Sequence, residues 1–135
     1  MGHSGKIGRM DFSELQPPFS LAVAEAVLNP DELDPATIVS GEPRTASLVL
    51  HEQPGPVRTV ERGIWEITPG VVTDVEADEM FVVLSGRATI EIQDGPTLEV
   101  GPGDVAVLPE GAVTRWTVHE TLRKVYQLSY IPEGA

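Results

Sequence analysis

Glu79 and Lys124 are the side chains through which this sequence can do acid/base chemistry. Glu79 belongs to a spaced pattern, Glu79-x6-Gly86, and a second pattern, Gly103-x5-Pro109-Glu110-Gly111, follows the next turn. A carboxylate carried into an interior without a metal must be neutralised by a proton, hydrogen bonds or a counter-charge, and Lys124 is the candidate counter-charge. A pair of this kind in a partly apolar cavity can shift both proton affinities and act as acid and base; the alternative is an ion pair that only holds structure. Trp65 and Trp116 are the only two tryptophans. Their faces can stack on a planar or sugar-like ligand and each indole N–H offers a donor, while filling a wide interior is their other use. Trp65 fits the filling role better and Trp116 the lining role; Tyr126 and Tyr130 carry both readings, with Tyr130 the better fit to an edge or a dimer contact. A cation site would need Asp74 and Glu79 together with His51 or His119. Other chemistries lack their residues: there are no cysteines, no serine sits in a nucleophile elbow, and no Gly-rich phosphate loop precedes a helix.

The chain that must position these residues has 135 of them, near the size of one domain and too few for two cores. Its 21 acidic and 9 basic Lys and Arg side chains leave a net charge of −12, with no run of Lys or Arg. That balance repels phosphates and anionic lipid, so nucleic acid and membrane surfaces are not expected partners. No apolar run approaches membrane-spanning length and the first residues lack the apolar stretch of a signal peptide, so cytoplasmic residence is the expectation. Residues 1–9, with Gly2, Ser4, Gly5 and Gly8 around Lys6 and Arg9, read as a leader ending at Met10, or else as a genuine mobile terminus; His3 receives no role. Residues 10–37 form an irregular extension expected to pack on the main domain. Pro17-Pro18 blocks a helix there, Ser20 can cap a short one through Leu28, and Leu21, Val23, Ala24 and Leu28 can equally mark an extended segment on the exterior.

From Ile38 onward short apolar runs are punctuated by Gly and Pro, the pattern of an all-β barrel or sandwich, so residues 38–135 make one domain. Ala88, Ile90 and Ile92 alternate with Thr89, Glu91 and Gln93, Asp94-Gly95 turns, and Leu98 and Val100 resume, which predicts a tight hairpin with glycine at positive φ. Further strands are predicted over 46–52, 59–67, 80–84, 104–108, 113–119 and 124–131, which suits a jelly-roll barrel.

The two spaced patterns around that hairpin resemble the signature motifs of the cupin superfamily, which in its metal-binding members read G-x5-H-x-H-x3,4-E-x6-G and G-x5-P-x-G-x2-H-x3-N. The glycine, proline and glutamate skeleton is retained from Glu79 to Gly111. The histidine positions fall on Val72 and Asp74, or on Thr73 and Val75 in the shorter spacing, and on Thr114; Glu66 or Ile67 replaces the opening glycine and Val118 the closing asparagine. The resemblance covers roughly residues 38–130. Within the superfamily, the runs Gly63-Ile-Trp-Glu-Ile-Thr-Pro-Gly70, Gly111-Ala-Val-Thr-Arg-Trp116 and Arg123-Lys-Val-Tyr126 are similar to the cupin domains of ureidoglycine aminohydrolase.

The resemblance implies a cupin-type double-stranded β-helix with Glu79 pointing inward. Strand alternation then carries Phe81 and Val83 inward, with Met80 and Val82 outward. Thr114, Trp116 and Val118 share the inner face if Thr114 occupies the histidine position, and Arg115, Thr117 and His119 face out. The expected pocket comprises Glu79 and Lys124 as the acid/base pair, with Trp65, Phe81, Thr114, Trp116 and Tyr126 binding the ligand. No cofactor is expected; a divalent zinc, manganese, iron or nickel ion held by Asp74, Glu79 and His51 is the alternative. Three functions follow as expectations: a metal-free binder of a small polar metabolite, an aminohydrolase or isomerase acting on a ureido- or sugar-like metabolite, or an inert cupin whose role lies in its oligomeric surface. A homodimer is expected, because small cupins commonly pair and pairing protects a strand edge.

Overall fold

The computed structural model describes residues 17–133. The leader 1–9 and the start of the extension therefore lie outside the described residues. Nine strands curl into one antiparallel sheet: β1 (Asn29–Pro30), β2 (Ile38–Ser40), β3 (Thr45–Pro54), β4 (Thr59–Ile67), β5 (Gly70–Val75), β6 (Asp78–Ile92), β7 (Thr97–Val100), β8 (Val105–Leu108) and β9 (Val113–Tyr130). Two long strands organise the whole. The first half of β9 pairs with β5 and its second half with β4, while β6 runs along both halves and carries β8 and β7 on its other edge. The result is the expected cupin jelly-roll barrel, two faces sharing β6 and β9.

The sequence reading places breaks where the structure keeps β6 and β9 continuous. Gly86 lies inside β6 rather than between two strands, at a run of register shifts from Val83 to Ala88 where the strand bends from one face to the other. Its φ is +87°, and a Cβ there would stand 2.1 Å from the Thr121 carbonyl oxygen, so only glycine lets the two long strands cross so closely at the bend. The hairpin at Asp94-Gly95 forms as expected, but the positive φ of 60° falls on Asp94, a residue whose short polar side chain tolerates that region. Strand β5 is an element the sequence reading does not list.

Burial follows the predicted alternation. Phe81, Val83, Trp116 and Val118 are buried with Ile67, Ile90, Leu108 and Leu122 in one core, while Met80 and Val82 are exposed. The extension does more than pack on the exterior. Its strand β1 pairs with β3, and the segment from there to β2, which begins the main domain and pairs with β5, reaches the barrel mouth. Two 3₁₀ turns, Val23–Glu25 and Pro35–Thr37, replace the longer helix. The first is held to the outer surface by the Arg123 guanidinium, which donates to the Val23 and Ala26 carbonyls while pairing with Glu66 at 2.8 Å. No helix among the described residues is long and apolar enough to cross a membrane.

Candidate functional site

Three adjacent strands bring the candidate side chains together. In the β4–β9 register Trp65 lies opposite Lys124 and Gly63 opposite Tyr126, and in the β6–β9 register Phe81 lies opposite Tyr126. Lys124 thus projects inward from the central strand of three, and its Nζ lies 4.5 Å from the Trp65 ring, 4.2 Å from Phe81 and 5.0 Å from Trp116. Trp116, from the other half of β9, packs edge-on to Trp65 with centroids 5.8 Å apart. The ammonium completes this aromatic cage by donating to Glu79 Oε2 at 2.7 Å. Both partners are nearly removed from water, Lys124 at 5% and Glu79 at 7% exposure, so the expected pair is formed and desolvated.

Above the cage lies a cavity of about 420 Å³ lined by Trp65, Trp116, Tyr126, Lys124 and Glu79 among the expected residues. Trp116 lines the cavity as its sequence reading expects, though it is the more buried of the two tryptophans, while Trp65, read from sequence as filling, also lines it and is the more open. Phe81 and Thr114 are not on the cavity wall. Phe81, fully buried, backs the lysine, and Thr114 acts through another residue, Glu76.

Glu76 is the main residue the sequence reading missed. It is 5% exposed, and its Oε2 accepts from the Thr114 hydroxyl at 2.6 Å and the Trp116 indole N–H at 3.1 Å. Its backbone is clamped by the turn after β8: the Glu76 N–H donates to the Ala112 carbonyl, and the Gly111 N–H donates to the Glu76 carbonyl. The Pro109-Glu110-Gly111 pattern therefore serves here to seat a carboxylate. Inward parity on β5 runs through Val72, and two further steps of two reach Glu76, so the signal was present once that strand was recognised. Burial raises the Glu76 carboxyl above the ordinary glutamate range; Thr114 and Trp116 oppose the rise and the charge of Asp74 adds to it. Asp74, exposed at the rim, is raised for the same first reason, against its bond from the Val75 N–H and the attraction of Lys124. Solvent screens it more than Glu76.

Tyr126 donates to Glu61 Oε2 at 2.6 Å, and burial together with that carboxylate pushes its hydroxyl well above the ordinary tyrosine range. The tyrosine can lie across β4 only because position 63 is glycine: a Cβ there would meet the Tyr126 hydroxyl at 2.6 Å. The extension closes one side of the mouth with Asp31, Leu33, Asp34 and Thr37. Tyr130 stays outside the cavity, its hydroxyl donating to Glu52.

The residues present do not fit the metal site that the cupin motifs imply. Val72 is buried and apolar, the Thr114 hydroxyl is committed to Glu76, and a lysine ammonium already holds Glu79. The alternative set is also dispersed: His51 does not line the cavity and its Nδ1 contacts the Arg62 guanidinium at 2.8 Å. His119 is exposed on the outer face, as its parity requires. No three His, Cys, Asp or Glu side chains among the described residues are grouped to hold a metal ion.

A search of curated proteins finds no match. Among solved structures, a DUF861-family protein of unknown function from Pseudomonas syringae pv. tomato shares 28% identity at a TM-score of 0.69, over 77% of this chain and 45% of that one. This chain thus spans less than half the length of that relative. The Clostridium difficile EutQ protein superposes with a TM-score of 0.53 at 18% identity, over 67% of this chain and 65% of that one. The cupin domain of Schizosaccharomyces pombe Cnp3 gives 0.54 at 14%, over 84% and 74%. These last two share the fold alone. A family model of the EutQ-like cupin domain matches residues 54–126, more than half of this chain, and the chain belongs to the EutQ-like cupin domain family.

Proposed function

We propose that this cupin binds a small polar metabolite in its barrel cavity, in the cytoplasm and without a transition metal. The observation that carries the reading is the caged Lys124–Glu79 pair at the base of an unenclosed cavity of about 420 Å³. A barrel needing only a filled core has no use for two buried charges there, since an apolar pair of similar volume is commonly as stable or more so. An inert cupin would be favoured by a closed, filled interior, and this one is neither closed nor filled. Thermal-shift screening tests the proposal, because a ligand that binds only the folded state raises Tm. Ureido compounds, amines, small carboxylates and sugars make a suitable panel. Trp65→Ala should remove the shift by deleting the open stacking face; Trp116→Ala is a poorer probe, since truncating that buried ring costs about 3–5 kcal/mol by itself. Silence across a broad panel, or a shift that survives both Trp65→Ala and Glu61→Gln, would show the cavity to be structural.

A second reading, an aminohydrolase or isomerase acting on a ureido- or sugar-like metabolite, is favoured by one observation. Glu76 and Asp74 are neighbouring carboxyls both raised toward the protonated form beside a lysine, an arrangement suited to proton transfer. Turnover of a panel member that is lost in Glu79→Gln or Glu76→Gln, with binding retained, would favour this reading over simple binding.

A further inference from the structure

The cavity wall is strongly unbalanced in charge. Asp31, Asp34, Glu61, Asp74, Glu76 and Glu79 line it, and Lys124 is its only basic side chain. That lysine is already matched by Glu79 and three aromatic rings. The other five carboxylates form no salt bridge among the described residues; their partners are Ser47, the Ala36 N–H, Tyr126, the Val75 N–H, and Thr114 with Trp116. Acidic lining alone would describe any solvated rim, but Glu76 is 5% exposed, faces the cavity, and has both of its hydrogen bonds on Oε2. Beyond these two donors, its polar neighbour is the Asp74 carboxyl, which competes with it for a proton, and no N–H, hydroxyl or ammonium among the described residues reaches its Oε1. A desolvated carboxylate oxygen without a donor is costly, and a cation bound in the cavity would relieve it. Glu79 is in the same position, with Lys124 on Oε2 alone. Trp65 and Trp116 supply ring faces, which favour a cationic or planar body over an anionic one.

We propose that the cavity selects a small organic cation, a primary ammonium or amidinium on a compact body, with its positive group between Glu76, Asp74 and Glu61 and its body against Trp65. The proposal rests on the cavity being a ligand site and narrows its ligands to one charge class. Small carboxylates and sugar phosphates would face a wall of six acidic side chains against one lysine and are rejected.

Benzylamine, benzamidine, benzyl alcohol and benzoate share a body of nearly constant size and differ in charge, so calorimetry with these four separates charge from fit. The cations should bind at least tenfold more tightly than benzyl alcohol, and benzoate most weakly. Glu76→Gln and Glu61→Gln keep the shape of the wall and the bonds from Thr114 and Tyr126; each should cost benzylamine about tenfold while leaving benzyl alcohol unchanged, consistent with loss of a charged hydrogen bond. Melting curves of both variants establish that they fold, and the two variants answer for each other if one does not. Benzyl alcohol or benzoate binding as tightly as benzylamine would overturn the cation while leaving the site intact, as would hits in the wider metabolite panel confined to neutral or anionic compounds. Binding of none of the four, with the wider panel also silent, would overturn the site itself.

Discussion

Lys124 illustrates how a single buried charge depends on everything around it. Removing one member of a desolvated pair strands the other, which typically costs about 3–5 kcal/mol, whereas replacing both with apolar groups can be neutral. Glu79→Leu and Lys124→Met should each lower stability by that order, and the double substitution of the two should recover most of the loss; denaturant unfolding of the parent and these three variants measures the coupling. Two other residues give pH signatures. The folded state raises the Tyr126 hydroxyl above its ordinary value of 10.0, so its contribution is full below that pH and is lost as pH rises above it. Stability should therefore fall on the alkaline side, and Tyr126→Phe should flatten that fall while costing about 1.5 kcal/mol at neutral pH. Tyr130, raised by its bond to Glu52 but only half-buried and outside the cavity, serves as the control through Tyr130→Phe. Glu76 is raised above 4.5 with Asp74, Lys124, Thr114 and Trp116 facing it. Its protonated form is the one the fold prefers, so its contribution is full below 4.5 and lost as pH rises through the raised value. Glu76→Gln, which keeps the acceptor for Thr114 and Trp116, should remove that loss and be at least as stable as the parent at pH 7.

At the scale of elements, the crossing of β6 and β9 is the critical joint. Gly86→Ala adds a methyl group 2.1 Å from the Thr121 carbonyl oxygen at a φ of +87°, and both strands are backbone there, so nothing can rotate away. The expected cost is about 3 kcal/mol or more, combining strain with overlap. Gly103→Ala isolates the strain: φ is similar at +89°, but a Cβ meets nothing within 4 Å, so about 1–2 kcal/mol is expected. Thermal or denaturant melts of the two variants check the contrast. Equal losses would mean that the crossing relaxes and that close packing is not what reserves position 86 for glycine.

For the whole molecule, the outer face of β6 and β8 is the feature that reaches beyond one chain. Met80 and Val82 on β6 lie opposite Val107 and Val105 on β8, Leu84 follows outward on β6, and all five are 40% to 64% exposed. Five adjacent apolar side chains form a patch whose burial can offset the repulsion between copies that each carry a net charge of −12. We propose that the expected homodimer uses this face as a two-fold, self-complementary contact. Sedimentation should give a dimer for the parent and a monomer for Val107→Asp; a parent that remains monomeric at high micromolar concentration would remove the dimer.

What the sequence by itself determined is whatever repeats locally or is reserved by backbone geometry. Period-two alternation, anchored on the inward Glu79 and the histidine position at Thr114 that the cupin resemblance implies, placed Phe81, Val83, Trp116 and Val118 inside and Met80 and Val82 outside, and glycine and proline spacing carried the barrel. Parity gave Glu79 and Lys124 each a face, but their meeting across 45 residues rests on the pairing of β6 with β9. Only the tertiary structure decided that β6 and β9 run unbroken through Gly86 and Leu122, since a bulge keeps the strand while changing its direction, and glycine alone does not distinguish a bulge from a turn. It alone brought Glu76 against Thr114 and Trp116, contacts spanning 38 and 40 residues, and folded the acidic extension over the mouth. It also separated His51 from Asp74 and Glu79 by sending β3 to the far side of β4 from β9. Strand periodicity says which way a side chain points; which strand lies beside it is a matter of long-range pairing, and that decided the charge of the cavity.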